Sequence, residues 1–149
     1  MRQNAKFRLQ KVLEVREIIE KERQKELSQS TRKLKTAEDN LSQLQEKKLQ
    51  VAQAIGALKK IEVNQFAHYY GYLTSLRTAV SNKLREIAAI KKDVENKRQA
   101  LLEATKNRKA LENLKSRHQQ EVADASLKTE QAAIDDVAIR KSFTKPNFG

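Results

Sequence analysis

The chain reads as an all-α protein, a long antiparallel two-helix coiled-coil hairpin, on three observations. Charged residues make up 34% of the sequence and hydrophobic ones only 38%, a composition of long solvated helices rather than of a globule around a large core. Three glycines and one proline supply too little turn chemistry for a new element every dozen residues. Apolar residues also recur at alternating spacings of three and four in two long runs, the pattern of a heptad seam.

The first arm is expected over about residues 5–60. Its stripe runs through Leu27, Ser30, Leu34, Ala37, Leu41, Leu44, Lys48, Val51, Ile55 and Leu58, with Ser30 and Lys48 as polar members. Upstream it continues through Leu9, Leu13 and Arg16. There Val12, Val15, Ile18 and Ile19 widen it into a face broad enough to meet something besides the partner helix.

The stretch KKIEVNQ is the one plausible reversal, giving a turn over about 59–65. Asn64 suits the N-cap of the second arm, because its side chain can accept from a backbone N–H two or three residues on. Helices joined by so short a link run antiparallel.

The second arm, about 65–141, carries the same alternation at Phe66, Tyr69, Leu73, Leu76, Val80, Lys83, Ile87, Ile90, Val94, Lys97, Leu101, Ala104, Arg108 and Leu111. A register in which paired positions add to 124 sets Leu58 beside Phe66, Leu44 beside Val80, Leu34 beside Ile90 and Leu13 beside Leu111. It also sets Arg16 against Arg108. Lys48, Lys83, Lys97 and Arg108 can lay their stems along the seam and keep their charges in water. Residues 112–141 outrun the first arm and are expected to continue the helix past it, with 142–149 as a frayed tail containing Pro146. One coiled-coil domain, 1–149, is the expectation.

Composition also limits function. Thirty-one Lys and Arg against nineteen Asp and Glu give +12, and the excess is dispersed, as on a solvated helix surface, with no block that concentrates it. Absence of cysteine excludes disulfides and thiolate metal sites. No apolar run approaches the roughly 20 residues of a membrane span, nor does MRQNAKFRLQ resemble a signal peptide. A soluble cytoplasmic protein is expected.

Gly56, Gly71 and Gly149 form no phosphate cradle, and His68 and His118 are fifty residues apart, so no cofactor or metal is expected. The adjacent acids Glu38–Asp39 and Asp135–Asp136 point about 100° apart on a helix and cannot converge on one atom. The chain is expected not to be an enzyme.

Four of the seven aromatic residues fall in FAHYYGYL, residues 66–73. No Lys or Arg lies between Lys60 and Arg77, which argues against stacking of single-stranded nucleic acid on these rings. At 100° per residue Phe66, Tyr69, Leu73, Leu76 and Val80 share the core stripe, whereas Tyr72 and Ala79 stand to one side. Tyr72 is thus either a ring over the edge of the seam or a partner contact.

Three segments, FRLQKVLEVREIIEKE (7–22), FAHYYGYLTSLRTAV (66–80) and VENKRQALLEATKNRKALENLKSRHQQE (94–121), resemble the FliJ family of the bacterial flagellar type III export apparatus. The resemblance implies a stalk similar to the central stalk subunit of rotary ATPases, non-catalytic and monomeric. Its partners would be the export ATPase hexamer, the cytoplasmic domain of the membrane export gate, and export chaperones that it escorts. It would sit in the cytoplasm, peripherally associated with the inner membrane at the flagellar base.

The same likeness implies gate contacts at Tyr72, Leu76, Ala79 and Lys83, with Glu38, Leu41 and Gln45 on the first arm. ATPase-ring contacts are implied around Phe7, Leu9, Val12, Leu13, Arg16, Glu121 and Val122. The stalks of virulence type III secretion systems share this architecture. Readings from other classes are a basic coiled coil that binds nucleic acid and a plain structural dimerisation rod.

Overall fold

A computed structural model describes residues 7–58 and 63–144. Helix α1 spans Gln10–Ala57 and helix α2 spans Val63–Thr144, with no strand among the described residues. The two pack against each other as a helical hairpin, the class that the heptad spacing predicts.

Phe7 to Leu9 lead into α1, where the Gln10 N–H donates to the Phe7 carbonyl at 3.1 Å and that of Leu13 to Leu9 at 2.9 Å. At its far end the Leu58 N–H reaches back to Ile55 at 3.3 Å, the tighter i to i−3 bond common in a final turn. Of the expected turn, 59–62 lie outside the described residues. Asn64 is already helical, one residue inside α2, so it cannot be the N-cap, whose backbone is non-helical. Helix α2 also runs on through Ser142 and Phe143 to Thr144, beyond the expected start of the tail; 145–149 lie outside the described residues.

By contacts the chain divides into two units, Lys21–Glu103 and Met1–Glu20 with Ala104–Gly149. In Lys21–Glu103 the core is the predicted seam. Ser30, Ala37, Leu76, Ile87 and Val94 are buried. Leu27, Leu34, Leu41, Leu44, Lys48, Val51, Ile55, Leu58, Tyr69, Leu73, Val80, Lys83, Ile90, Lys97 and Leu101 are half-buried.

Phe66 departs from the prediction. It is 44% exposed and stacks on Tyr70, ring centroids 6.0 Å apart and 18° from parallel, rather than closing over Leu58. Helix α1 has ended by Ala57, and the ring finds its apolar cover four residues along its own helix.

Ser30, fully buried, explains how a hydroxyl is tolerated in an apolar seam. It donates to Asp93 Oδ2 at 2.9 Å and accepts from Lys97 Nζ at 2.8 Å, while Lys97 and Asp93 pair at 3.0 Å. A buried polar group is tolerated when its bonds are made within the protein. The hydrogen bond from Lys97, then that from Ser30, holds the Asp93 carboxyl below the usual carboxylate range.

In the unit of Met1–Glu20 and Ala104–Gly149, Leu13 and Ala104 are buried, and Phe7, Arg16, Ile19, Glu20, Leu111, Lys115, His118 and Val122 are half-buried. Phe7 lies against His118 with centroids 5.9 Å apart and the rings tilted by 44°. Arg108 does not face an uncompensated Arg16. Its guanidinium pairs with Glu20, one turn further along α1, and with Glu112 at 2.7 Å. Helical side chains lean toward the N-terminus of their own helix, which in an antiparallel pair carries Arg108 toward higher-numbered residues of α1. Past Val122 every described side chain of α2 is exposed, through Phe143.

Candidate interaction surfaces

In the unit of Lys21–Glu103, Tyr72, Leu76, Ala79 and Lys83 fall within a strip of about 60° on α2 at 100° per residue. Burial divides the strip. Tyr72 is 46% exposed, Ala79 and Lys83 are half-buried, and Leu76 lies in the seam with only 6% of its surface accessible. The strip therefore offers a partner a tyrosine ring, a small flat site and an ammonium, with Leu76 supporting them from below. Lys83 Nζ is 2.9 Å from Glu86, so its charge is partly balanced within the helix.

On α1, Glu38 and Gln45 are exposed and Leu41 is half-buried as a seam member. The cross-helix bonds of Ser30 go to Asp93 and Lys97, and that register carries Glu38, Leu41 and Gln45 toward the stretch of α2 holding Ala79 and Lys83.

In the other unit, the residues for which the resemblance implies an ATPase-ring contact also separate by burial. Leu13 is buried in the seam, whereas Leu9 and Val12 are 39% and 42% exposed. Arg16 and Val122 are half-buried at the seam, and Glu121 is exposed. The broad apolar face read upstream of the seam is present: Val12, Val15 and Ile18 all lie open, and Val12, Val15 and Ile19 line a shallow groove of about 370 Å³ with the stems of Lys11 and Arg16. A second groove, about 610 Å³, lies around the Phe7–His118 contact, with Arg8, Lys11 and Lys115 at its margins.

Sequence reasoning passed over two features. Lys115 and His118 extend the seam beyond Leu111, but neither carries an apolar signal. Exposed Val63, Phe66 and Tyr70 form an apolar surface apart from Tyr72. The signal available for it was the absence of any Asp, Glu, Lys or Arg from residues 49–58 and 63–76.

Among the described residues no group of His, Cys, Asp and Glu is arranged to hold a metal ion, and no helix is long and apolar enough to cross a membrane. What the surfaces can do is bind: exposed aromatic and aliphatic side chains on long helices, with paired charges beside them.

Over residues 5–147 the chain matches the family model described as Flagellar FliJ protein. No curated protein sequence and no solved structure matches it.

Proposed function

Because the chain belongs to the flagellar FliJ family, whose members are components of flagellar export, we propose that it is a non-catalytic link between the hexameric export ATPase and the cytoplasmic domain of the membrane export gate. In this reading the unit holding Phe7 to Glu20 and the distal part of α2 seats in the ATPase ring. The strip of Tyr72, Ala79 and Lys83 meets the gate. The protein works as a monomer in the cytoplasm, associates peripherally with the inner membrane at the flagellar base, and escorts export chaperones.

One observation carries the reading. Leu127, Ile134, Val137, Ile139 and Phe143 are 50% to 86% exposed on a stretch of α2 that has no partner helix among the described residues. At 100° per residue, Ile139 and Phe143 lie about 120° and 160° around the axis from Leu127. A helix docked on one flat surface would show apolar residues on one side, whereas apolar residues on several sides suit a helix surrounded by its partner.

Charge is nearly balanced there: residues 121–143 contain five acids, Glu121, Asp124, Glu130, Asp135 and Asp136, and three bases, Lys128, Arg140 and Lys141, so the contact proposed for this stretch rests on its apolar residues.

The gate half of the proposal is tested by titrating the gate's cytoplasmic domain with the wild-type chain and with Tyr72→Ala. An exposed aromatic anchor is worth on the order of tenfold in affinity, so the variant should bind about tenfold more weakly with its helicity by circular dichroism unchanged. Equal affinities would overturn the assignment of Tyr72.

A further inference from the structure

Seam members recur along both helices with a seven-residue repeat, so a slip of α1 along α2 by one heptad would still set seam positions against seam positions. The reversal does little to prevent such a slip. Val63 to His68, the first described residues of α2, are all exposed, and Phe66 stacks on Tyr70 of its own helix. Within Lys21–Glu103 the apolar spacing alone therefore leaves the alignment of the helices open.

The polar members of the seam close it. Ser30 is fully buried and bonds across the seam to Asp93 Oδ2 at 2.9 Å and Lys97 Nζ at 2.8 Å. One heptad in one direction would carry Ser30 to Ala100 and Ala104 and lay Lys97 on buried Ala37. The buried hydroxyl would lose both partners and the Lys97 ammonium one of its two, and a buried polar group without a partner costs more than its bonds contribute when made. One heptad the other way would set Lys97 against Arg23, like charge against like. A polar group buried in a coiled-coil seam specifies alignment in this way, at some cost in stability.

We propose that Ser30, Asp93 and Lys97 are positioning residues: their cluster fixes the register of α1 on α2 and so holds Glu38, Leu41 and Gln45 beside Ala79 and Lys83 as one two-helix surface for the gate. The register role stands on the cluster itself, and its use for the gate rests on the gate reading above. A slip of one heptad moves one helix along the other by about 10 Å. That displacement would take the α1 residues about two turns away from the α2 residues they accompany.

The chain has no cysteine, so Gln50→Cys and Asn96→Cys, both at exposed positions, place one spin label on each helix for a pulsed-EPR distance. The otherwise wild-type chain and Ser30→Thr, which keeps the hydroxyl, should each give a single distance. Ser30→Ala combined with Lys97→Leu makes the slip toward Ala100 and Ala104 free of polar loss, and should add a second distance shorter by about 10 Å. This double variant should nevertheless melt no lower than Ser30→Ala alone, because leucine adds apolar burial at the seam; a merely stabilising cluster would lower the melting point without adding a distance. Ser30→Ala alone should show the second distance in smaller proportion. Affinity for the gate's cytoplasmic domain should fall with the fraction of chains in the original register, about twofold when half have slipped. One unshifted distance in both Ser30→Ala and the double variant would overturn the register role and leave the gate reading standing. A second distance with undiminished gate affinity would overturn the positioning of the gate surface, and no gate binding by the wild-type chain would overturn the gate reading while the distances still decide the register role.

Discussion

Helix α2 contains two stretches that are alike in composition and unlike in cover. From Tyr69 to Val122 its heptad positions are buried or half-buried, and even the polar members Lys83, Lys97 and Arg108 have their stems under cover. From Ala123 to Phe143 every side chain is exposed, including Leu127, Ile134, Val137, Ile139 and Phe143. The difference teaches that apolar content alone does not mark a core. In the covered stretch the apolar residues keep one phase and stabilise the hairpin. In the bare stretch they point in several directions and are available to a partner.

The largest effect that would sharpen this contrast is on the covered side. Leu76→Ala should destabilise the hairpin by about 2–4 kcal/mol, through lost burial and a cavity that long helices only partly close. Denaturant unfolding followed by circular dichroism measures it. A loss near zero would mean that the seam around Leu76 is not a core.

A smaller effect is expected at Ser30. Ser30→Ala removes a buried hydroxyl bonded on both sides but leaves the Asp93–Lys97 pair, and should cost about 1 kcal/mol. Asp93 adds a pH dependence whose sign follows from its lowered pKa. The folded chain binds that proton less readily than the unfolded one, so the contribution is complete at neutral pH and fades as pH falls below about 4. Asp93→Asn should flatten that part of the acid-unfolding curve; an unchanged slope would remove Asp93 from the account of acid stability.

The smallest effect on stability, and the one that separates the two stretches most cleanly, is at Leu127. Leu127→Ala should change stability by no more than about 0.5 kcal/mol, the usual range for an exposed position. A loss comparable with that of Leu76→Ala would show that the bare stretch is covered in the free protein after all.

Much of the fold was legible because a heptad seam is written in spacing. Ser30, Lys48, Lys83 and Lys97 are legible as seam positions although none is apolar, since the phase on either side fixes their position. Phe66 is not, because spacing does not say where the partner helix stops, and α1 stops at Ala57. The Arg108–Glu20 pair was hidden because a register lists backbone neighbours, while long side chains reach about a turn away. Lys115 and His118 escaped because their cover comes from stems and a ring rather than from an aliphatic pattern.

At the candidate site, the angle of Tyr72 off the seam was readable and its exposure agrees with it. Leu76 falls on the core stripe and on the gate pattern at once, and only burial shows that it supports the strip from within. The exposed Val63, Phe66 and Tyr70 left their sign in the uncharged stretch 63–76, which matches no motif.

The central claim is that this chain meets the export ATPase through one unit and the export gate through the other. A chain ending at Gln120, which removes the whole bare stretch together with Glu121 and Val122, tests it directly when ATPase stimulation and gate binding are measured side by side. A two-partner link predicts that stimulation of the ATPase is lost while affinity for the gate's cytoplasmic domain stays within about twofold. Undiminished stimulation, or an equal loss of both activities in a chain that remains folded, would contradict it.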